Sequence, residues 1–311
     1  MAVRFKFYYW PIGFRGNFIR CLLAFKGIPF TECPVSELVP LRNADLRDGA
    51  TKAIFMAPPL LYDSSHDLYI SQMSAIVGHL GRVTGMMPQG LVEQAVTMNV
   101  LGNCNDILNE ITRQCGFKMW TRKEFETFRS TRLVKWFAIM ETTATRRGGL
   151  EMGKGYFFGS IEPTLVDIAL FACFATLEEG LPELSRDFRA ECPSIAALID
   201  RLRASSDSLT QLMEIQMRNA PEGATYCGGQ IEKSLREVLR KELPIIKEAW
   251  PEVVGMDGSA AKVAIEAENN VNVRQIQCIP EGSMVTRDYR EDRVRIFTNK
   301  DGKVVAAPTV G

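Results

Sequence analysis

The sequence predicts a two-part chain: a small α/β unit over residues 1–84 joined to an all-helical region over 88–218, then a small α+β module over 248–311. Three observations predict it. Strand-like and helix-like stretches alternate in the first 84 residues, the next 130 or so carry apolar residues almost only at helical spacing, and the last 60 return to period-two alternation. Between the parts, 219–247 reads as a linker and a helix.

Arg4–Tyr9 alternates at period two and predicts the first strand, and Phe18, Leu22 and Phe25 within Asn17–Lys26 mark one face of a helix. Leu60–Tyr62 and Asp67–Ile70 read as a strand pair, followed by a helix over Ser74–Leu80. In the helical region Glu162–Gly180 is the clearest element. Pro163 suits a first turn, Thr164 and Asp167 have capping-box spacing, and the run Ile168–Ala175 reads as fully buried. The stretch Arg129–Arg147 reads as a solvated helix face that also lines the cleft on the side of a second substrate.

Asn219–Gly229 is rich in Pro and Gly and reads as a linker. A helix follows, with Ile231, Leu235, Val238 and Leu239 on one face and Pro244 at its end. In the last module Asp257–Glu268 reads as a short helix, Val294 and Ile296 as the inward face of a strand, and Asp301-Gly302 as a hairpin turn.

Composition narrows the function classes. Lys plus Arg and Asp plus Glu both number 37, so no cationic surplus points to nucleic acid. No apolar run is long enough to span a bilayer, and the N-terminus reads as a strand, so no membrane partner and a cytoplasmic setting are expected. The eight cysteines are scattered without a CxxC pair, so neither a metal site nor a disulfide framework is expected. His66 in a turn-like segment and His79 on a helix are assigned no chemistry.

The end of the chain carries specific motifs: Trp250-Pro-Glu-Val-Val-Gly255, Ile279-Pro-Glu-Gly-Ser283, Asp288-Tyr-Arg290, Asp292-Arg-Val-Arg-Ile-Phe297 and Pro308-Thr-Val-Gly311. Residues 248–311 resemble the potato type I serine protease inhibitors, the family of eglin and the barley chymotrypsin inhibitor. The resemblance implies an exposed, substrate-like loop with Arg287–Asp288 as its reactive bond, Thr286 beside it, and Arg293 and Arg295 beneath it as supports. An arginine before the reactive bond suits a protease pocket with a buried carboxylate, so the implied partner is a trypsin-like serine protease. Cys278 is the module's one cysteine, so the arginine bonds, not a disulfide, must hold the loop.

Residues 1–215 resemble the cytosolic glutathione S-transferases: a thioredoxin-like α/β domain followed by the family's all-helical domain. The residues carrying this are Tyr8-Tyr-Trp-Pro11, Arg15 and Arg20, Ala57-Pro-Pro-Leu60, Ser71-Gln-Met-Ser74 and Thr164–Asp167. The resemblance implies glutathione as co-substrate, with Tyr9 bonding its sulfur and Arg15 adding positive field. It also implies a cis Pro59 that exposes the Pro58 carbonyl, and Gln72 and Met73 at the γ-glutamyl end. Two positions depart from the pattern. The family usually has Ser or Thr at Met73, whose hydroxyl binds a glutathione carboxylate, leaving the Met73 N–H, Ser71 or Ser74 to do so. The family's Gln or Asn two residues before the cis-proline is Ala57 here. Apart from any resemblance, Tyr8 and Tyr9 read as consecutive strand residues, one buried and one exposed.

Together these imply a fusion that conjugates glutathione to an electrophile, acts as a homodimer and inhibits a protease. The alternatives are a non-catalytic dimeric scaffold presenting the inhibitor loop, and an active transferase with a vestigial inhibitor.

Overall fold

A computed structural model describes residues 3–151, 153–239, 249–267, 273, 275–286, 288, 290 and 292–311. The chain forms two compact units, Met1–Leu239 and Arg240–Gly311.

In the first unit the strands are β1 (Phe5–Tyr8), β2 (Phe30–Cys33), β3 (Leu60–Asp63) and β4 (Leu68–Ser71), in the order β2-β1-β3-β4. β1 and β2 are parallel, and the other pairs antiparallel. A parallel pair needs a crossover, which α1 (Gly16–Phe25) supplies. Alternation sends Phe5 and Phe7 into the main core with Phe18, Leu22 and Leu61, and Tyr8 into a smaller cluster with Cys33, Leu38 and Leu60 on the opposite face. Tyr8 and Tyr9 are therefore both buried, on opposite sides, where one was expected to be exposed. β2 and α2 (Val35–Arg42) were not read from the sequence. β2 is four residues long, and α2 contains Pro40 and buries only Leu38.

After α3 (Met73–Val83) come the long α4 (Leu91–Ile111), α5 (Arg122–Phe128) and α6 (Val134–Thr142), with π-helical turns at Arg129–Leu133 and Thr143–Arg147. α7 (Leu165–Gly180) is buried along almost its whole length. Its capping box forms: the Thr164 N–H and hydroxyl both donate to Asp167 Oδ2 at 2.7 Å. The other oxygen, Oδ1, accepts from the Phe157 N–H at 2.9 Å. Burial nonetheless raises the Asp167 carboxyl above its ordinary value. Around α7 pack α8 (Ser185–Glu191), α9 (Pro193–Ser205) and α10 (Asp207–Asn219), with the Phe174 and Phe188 rings stacked 4.5 Å apart.

The segment read as a linker is part of this core. Tyr226 is fully buried with its ring edge-on to Phe14, and Gly180 is required beside it, because a Cβ there would lie 2.8 Å from Tyr226 Cβ. Glu232, at the start of α11 (Gly229–Leu239), gathers the loop. Its carboxylate accepts backbone N–H bonds from Thr225, Tyr226, Cys227 and Gly228 at 2.7–3.0 Å and pairs with Arg236. Although burial opposes it, these bonds lower the Glu232 carboxyl below its usual value. The remainder of the expected linker and helix, including Pro244, lies outside the described residues.

The second unit has α12 (Gly258–Ala267) and a three-stranded sheet, β5 (Gln275–Pro280), β6 (Arg293–Thr298) and β7 (Thr309–Val310), ordered β5-β6-β7. Its core is Trp250, Val253, Ala261, Ile265, Val294, Ile296 and Val304. The turn at Asp301-Gly302 closes with the Gly302 N–H on the Asn299 carbonyl at 3.0 Å, and Gly302 has φ 76°.

Candidate functional site

β5 and β6 run parallel, so the chain leaving β5 must return along the sheet before β6 begins. That return covers about 20 Å, six residues at ~3.3 Å each. The connection, residues 281–292, is ample for this, and its described residues 281–286, 288 and 290 are exposed, Met284 wholly so. Its shape is fixed from below by two arginines at alternate positions of β6. Arg295 donates through Nη1 to the Thr286 carbonyl at 3.0 Å and through Nη2 to the Thr286 hydroxyl at 2.7 Å. Arg293 donates through Nη2 to the Asp288 carbonyl at 2.7 Å and through Nη1 to its carboxylate at 3.2 Å. Arg293 is itself tied by Nε to the Gly311 carbonyl at 2.8 Å. The Thr286 hydroxyl and Arg293 together lower the Asp288 carboxyl. Both guanidiniums are largely buried while the loop they grip is exposed. Arg287 itself lies outside the described residues.

In the first unit a cavity of about 600 Å³ brings together Tyr9, Arg15 and Pro58. The Pro58–Pro59 bond is cis. Burial raises the Tyr9 phenol above its ordinary value, opposed by the Arg15 and Arg20 charges, so the hydroxyl keeps its proton and can donate. Gly16 is required beneath it, since a Cβ there would meet the Tyr9 ring at 2.5 Å. Arg15 is committed to neighbours: Nε to Asn105 at 2.9 Å, Nη2 to Asn109 at 2.8 Å and Nη1 to the Cys115 sulfur at 3.1 Å.

Pro59, Gln72 and Met73 do not line this cavity. The Met73 side chain is buried in the core, whereas Gln72 is exposed, with φ 72°, as the residue before α3. No side chain caps α3, so its first N–H groups, beginning with Met73, have no capping side chain as partner.

Three features of the cavity were not read from the sequence. Cys115 is an exposed thiol carried on consecutive left-handed residues, Arg113, Gln114 and Cys115, with φ of 45°, 57° and 58°. Trp10 and Arg42 line another part of it. Cys227, Gly228 and Ile231, from the expected linker and helix, close one wall. The Arg129–Arg147 stretch, expected at the cleft, does not line this cavity; Arg129 instead pairs with Asp187 and Arg132 with Glu110.

Residues 241–311 match the model of the Potato inhibitor I family, and residues 96–238 match the model of the Glutathione S-transferase, C-terminal domain. The Inhibitor of trypsin and hageman factor of Cucurbita maxima is 48% identical over 65 residues, 21% of this chain and 93% of that protein. Wound-induced proteinase inhibitor 1 of Solanum tuberosum is 45% identical over 64 residues, 21% of this chain and 59% of its own length. Among solved structures, the Pi-class glutathione S-transferase of Onchocerca volvulus superposes with a TM-score of 0.55 at 19% identity, covering 68% of this chain and 93% of that one, which is a likeness of fold.

Proposed function

We propose that this chain, which belongs to the Potato inhibitor I family through residues 241–311 and carries a glutathione S-transferase C-terminal domain at 96–238, inhibits a trypsin-like serine protease with its exposed loop. The observation that carries the reading is the clamp on the loop: Thr286 and Asp288, the neighbours of Arg287, are each held by an arginine of β6. A loop already in one extended shape enters a protease cleft with little ordering cost. If Arg287–Asp288 is cut, the same four bonds hold both new ends in place, so the acyl-enzyme is attacked by the retained amine faster than the fragments separate. Arg287 supplies the guanidinium for a carboxylate-lined pocket. The name of the Cucurbita relative supports a trypsin-like target, and that of the Solanum relative supports a role in the response to wounding. Measurement of inhibition constants against trypsin, chymotrypsin and subtilisin tests this, with tightest inhibition of trypsin expected.

The first unit we assign to glutathione. The peptide's sulfur is placed at the Tyr9 hydroxyl, near Arg15, with the Pro58 carbonyl for its backbone and the uncapped end of α3, at Gln72 and Met73, for its γ-glutamyl carboxylate. Conjugation to an electrophile follows from a thiolate stabilised by the Tyr9 proton. A homodimer and a cytoplasmic location complete the proposal. They are supported by the exposed apolar side chains Ile54, Met56, Leu91 and Val92, and by eight cysteines that are all free thiols.

A second reading, of a scaffold that binds no glutathione, is favoured by one observation: all three donor nitrogens of Arg15 are already engaged by Asn105, Asn109 and Cys115. Retention on glutathione resin, with turnover of a model electrophile, separates the two.

A further inference from the structure

The chain has two histidines, and they meet. His66 stands in the turn between β3 and β4, His79 on α3, and both ring nitrogens reach one oxygen of Asp63, the last residue of β3. His66 Nδ1 lies 3.0 Å and His79 Nε2 2.9 Å from Asp63 Oδ2, and the rings sit edge to face at 5.9 Å. All three ligand atoms fall within 4.8 Å of one another. We propose that Asp63, His66 and His79 bind one divalent transition-metal ion of the Zn²⁺ type.

The donor set selects that class. Two imidazoles with one carboxylate suit Zn²⁺, Cu²⁺ or Ni²⁺, whereas Ca²⁺ and Mg²⁺ require mostly oxygen ligands. Size agrees. Bonds of ~2.0–2.2 Å place neighbouring ligands of a tetrahedral ion about 3.3 Å apart, so the nitrogen–oxygen distances need open by only a few tenths of an ångström. Three protein ligands leave a position for water, and the His66 side chain is 54% exposed, so the site is reachable.

Charge and orientation also agree. Asp63 is fully buried, and its other oxygen, Oδ1, is held by Arg4 Nε at 2.9 Å and the Ser65 N–H at 3.0 Å. Those bonds aim Oδ2 at the histidines, as outer partners orient a ligating carboxylate. Oδ2 presently faces three donors, because Arg4 Nη2 also lies 2.8 Å away, although it has two lone pairs. The ion takes the place of that Arg4 contact, and Arg4, whose side chain is 36% exposed, keeps its bond to Oδ1. Coordination uses the lone pair of each ring nitrogen, so any proton on that nitrogen must leave. An imidazolium releases it to solvent, and a neutral ring carries its proton on the other nitrogen instead. The bound ion would pin the β3–β4 turn to α3.

The test uses the full chain, stripped with EDTA and desalted. Zn²⁺ is titrated calorimetrically, thermal unfolding is followed as Zn²⁺ rises, and Co²⁺ serves as a spectroscopic probe. The proposal expects one Zn²⁺ per chain and a melting temperature that climbs with the logarithm of Zn²⁺ concentration. It expects a Co²⁺ spectrum without sulfur charge-transfer bands, and affinity at least ~10-fold weaker in both His66→Gln and His79→Ala. His66→Gln alters an exposed side chain and decides the matter should His79→Ala lose the fold. Unchanged affinity in His66→Gln, a melting temperature indifferent to Zn²⁺, or sulfur bands reporting capture by the exposed Cys115 or Cys278 would overturn it.

Discussion

Arg287 and Tyr9 are the two side chains on which the proposed chemistry turns. Arg287 is flanked by two clamped residues, so its replacement should change what the loop binds and not how the loop is held. Arg287→Met is expected to shift preference from trypsin to chymotrypsin or subtilisin, read from inhibition constants against all three. Tyr9 is buried against Phe7, their rings stacked 6.0 Å apart, and its phenol stays protonated. Removing one hydroxyl that stabilises charge in the transition state costs ~3–4 kcal/mol, or 10²–10³ in rate. Tyr9→Phe should therefore lose about that much conjugation rate while keeping its fold by circular dichroism. A variant as active as the parent would remove Tyr9 from the chemistry.

At the scale of elements, β6 is both a core strand and a support. Val294 and Ile296 are buried on one face, while Arg293 and Arg295 rise to the loop from the other. Arg295→Ala removes the two bonds to Thr286 without touching the protease-facing side chain. Weaker inhibition is expected, together with faster accumulation of chain cut at 287–288 on incubation with trypsin, read by mass spectrometry. Weaker binding without faster cleavage would mean that the clamp does not keep the ends together. Legibility in the sequence also divides by element. β1, α1 and α7 follow from apolar period and a capping box, which are local signals. The segment 219–229 was not legible, because Pro and Gly mark a free linker and a tied loop alike. What ties it is Glu232, several residues on, and the Phe14 ring far away in sequence. Cys115 was hidden for a related reason: three successive left-handed residues carry no compositional mark unless they are glycine or asparagine. The two histidines gave no signal because their meeting point, Asp63, is set by sheet and helix packing rather than by spacing.

Over the whole molecule, the two units have separate cores, so damage to one is expected to leave the other's function intact. Glu232→Ala strips a buried carboxylate from four backbone N–H groups. Each group left unsatisfied in the interior costs ~1–3 kcal/mol. The first unit should lose several kcal/mol in denaturant unfolding, with trypsin inhibition unchanged; a matching loss of inhibition would show that the units are coupled. Acid should act in the same place. The Asp63 and Glu232 carboxyls are both held below their ordinary values, by Arg4 for Asp63 and by backbone N–H groups and Arg236 for Glu232. A depressed carboxyl stabilises the folded state fully above its unfolded value of about 4 and loses that contribution as pH falls below it. Stability of the first unit should therefore decline progressively below about pH 4, read by chemical denaturation across pH, and Glu232→Gln should flatten that decline.

The most direct test of the central claim is the inhibition constant of the full chain against trypsin, beside that of Arg287→Ala. Truncating an arginine anchor at the centre of an interface costs ~2–4 kcal/mol, a factor of about 30 to 1,000. Tight, reversible inhibition is expected, weakened by at least the lower of these factors in the variant. Equal constants for the two proteins, or no inhibition by the parent chain, would contradict it.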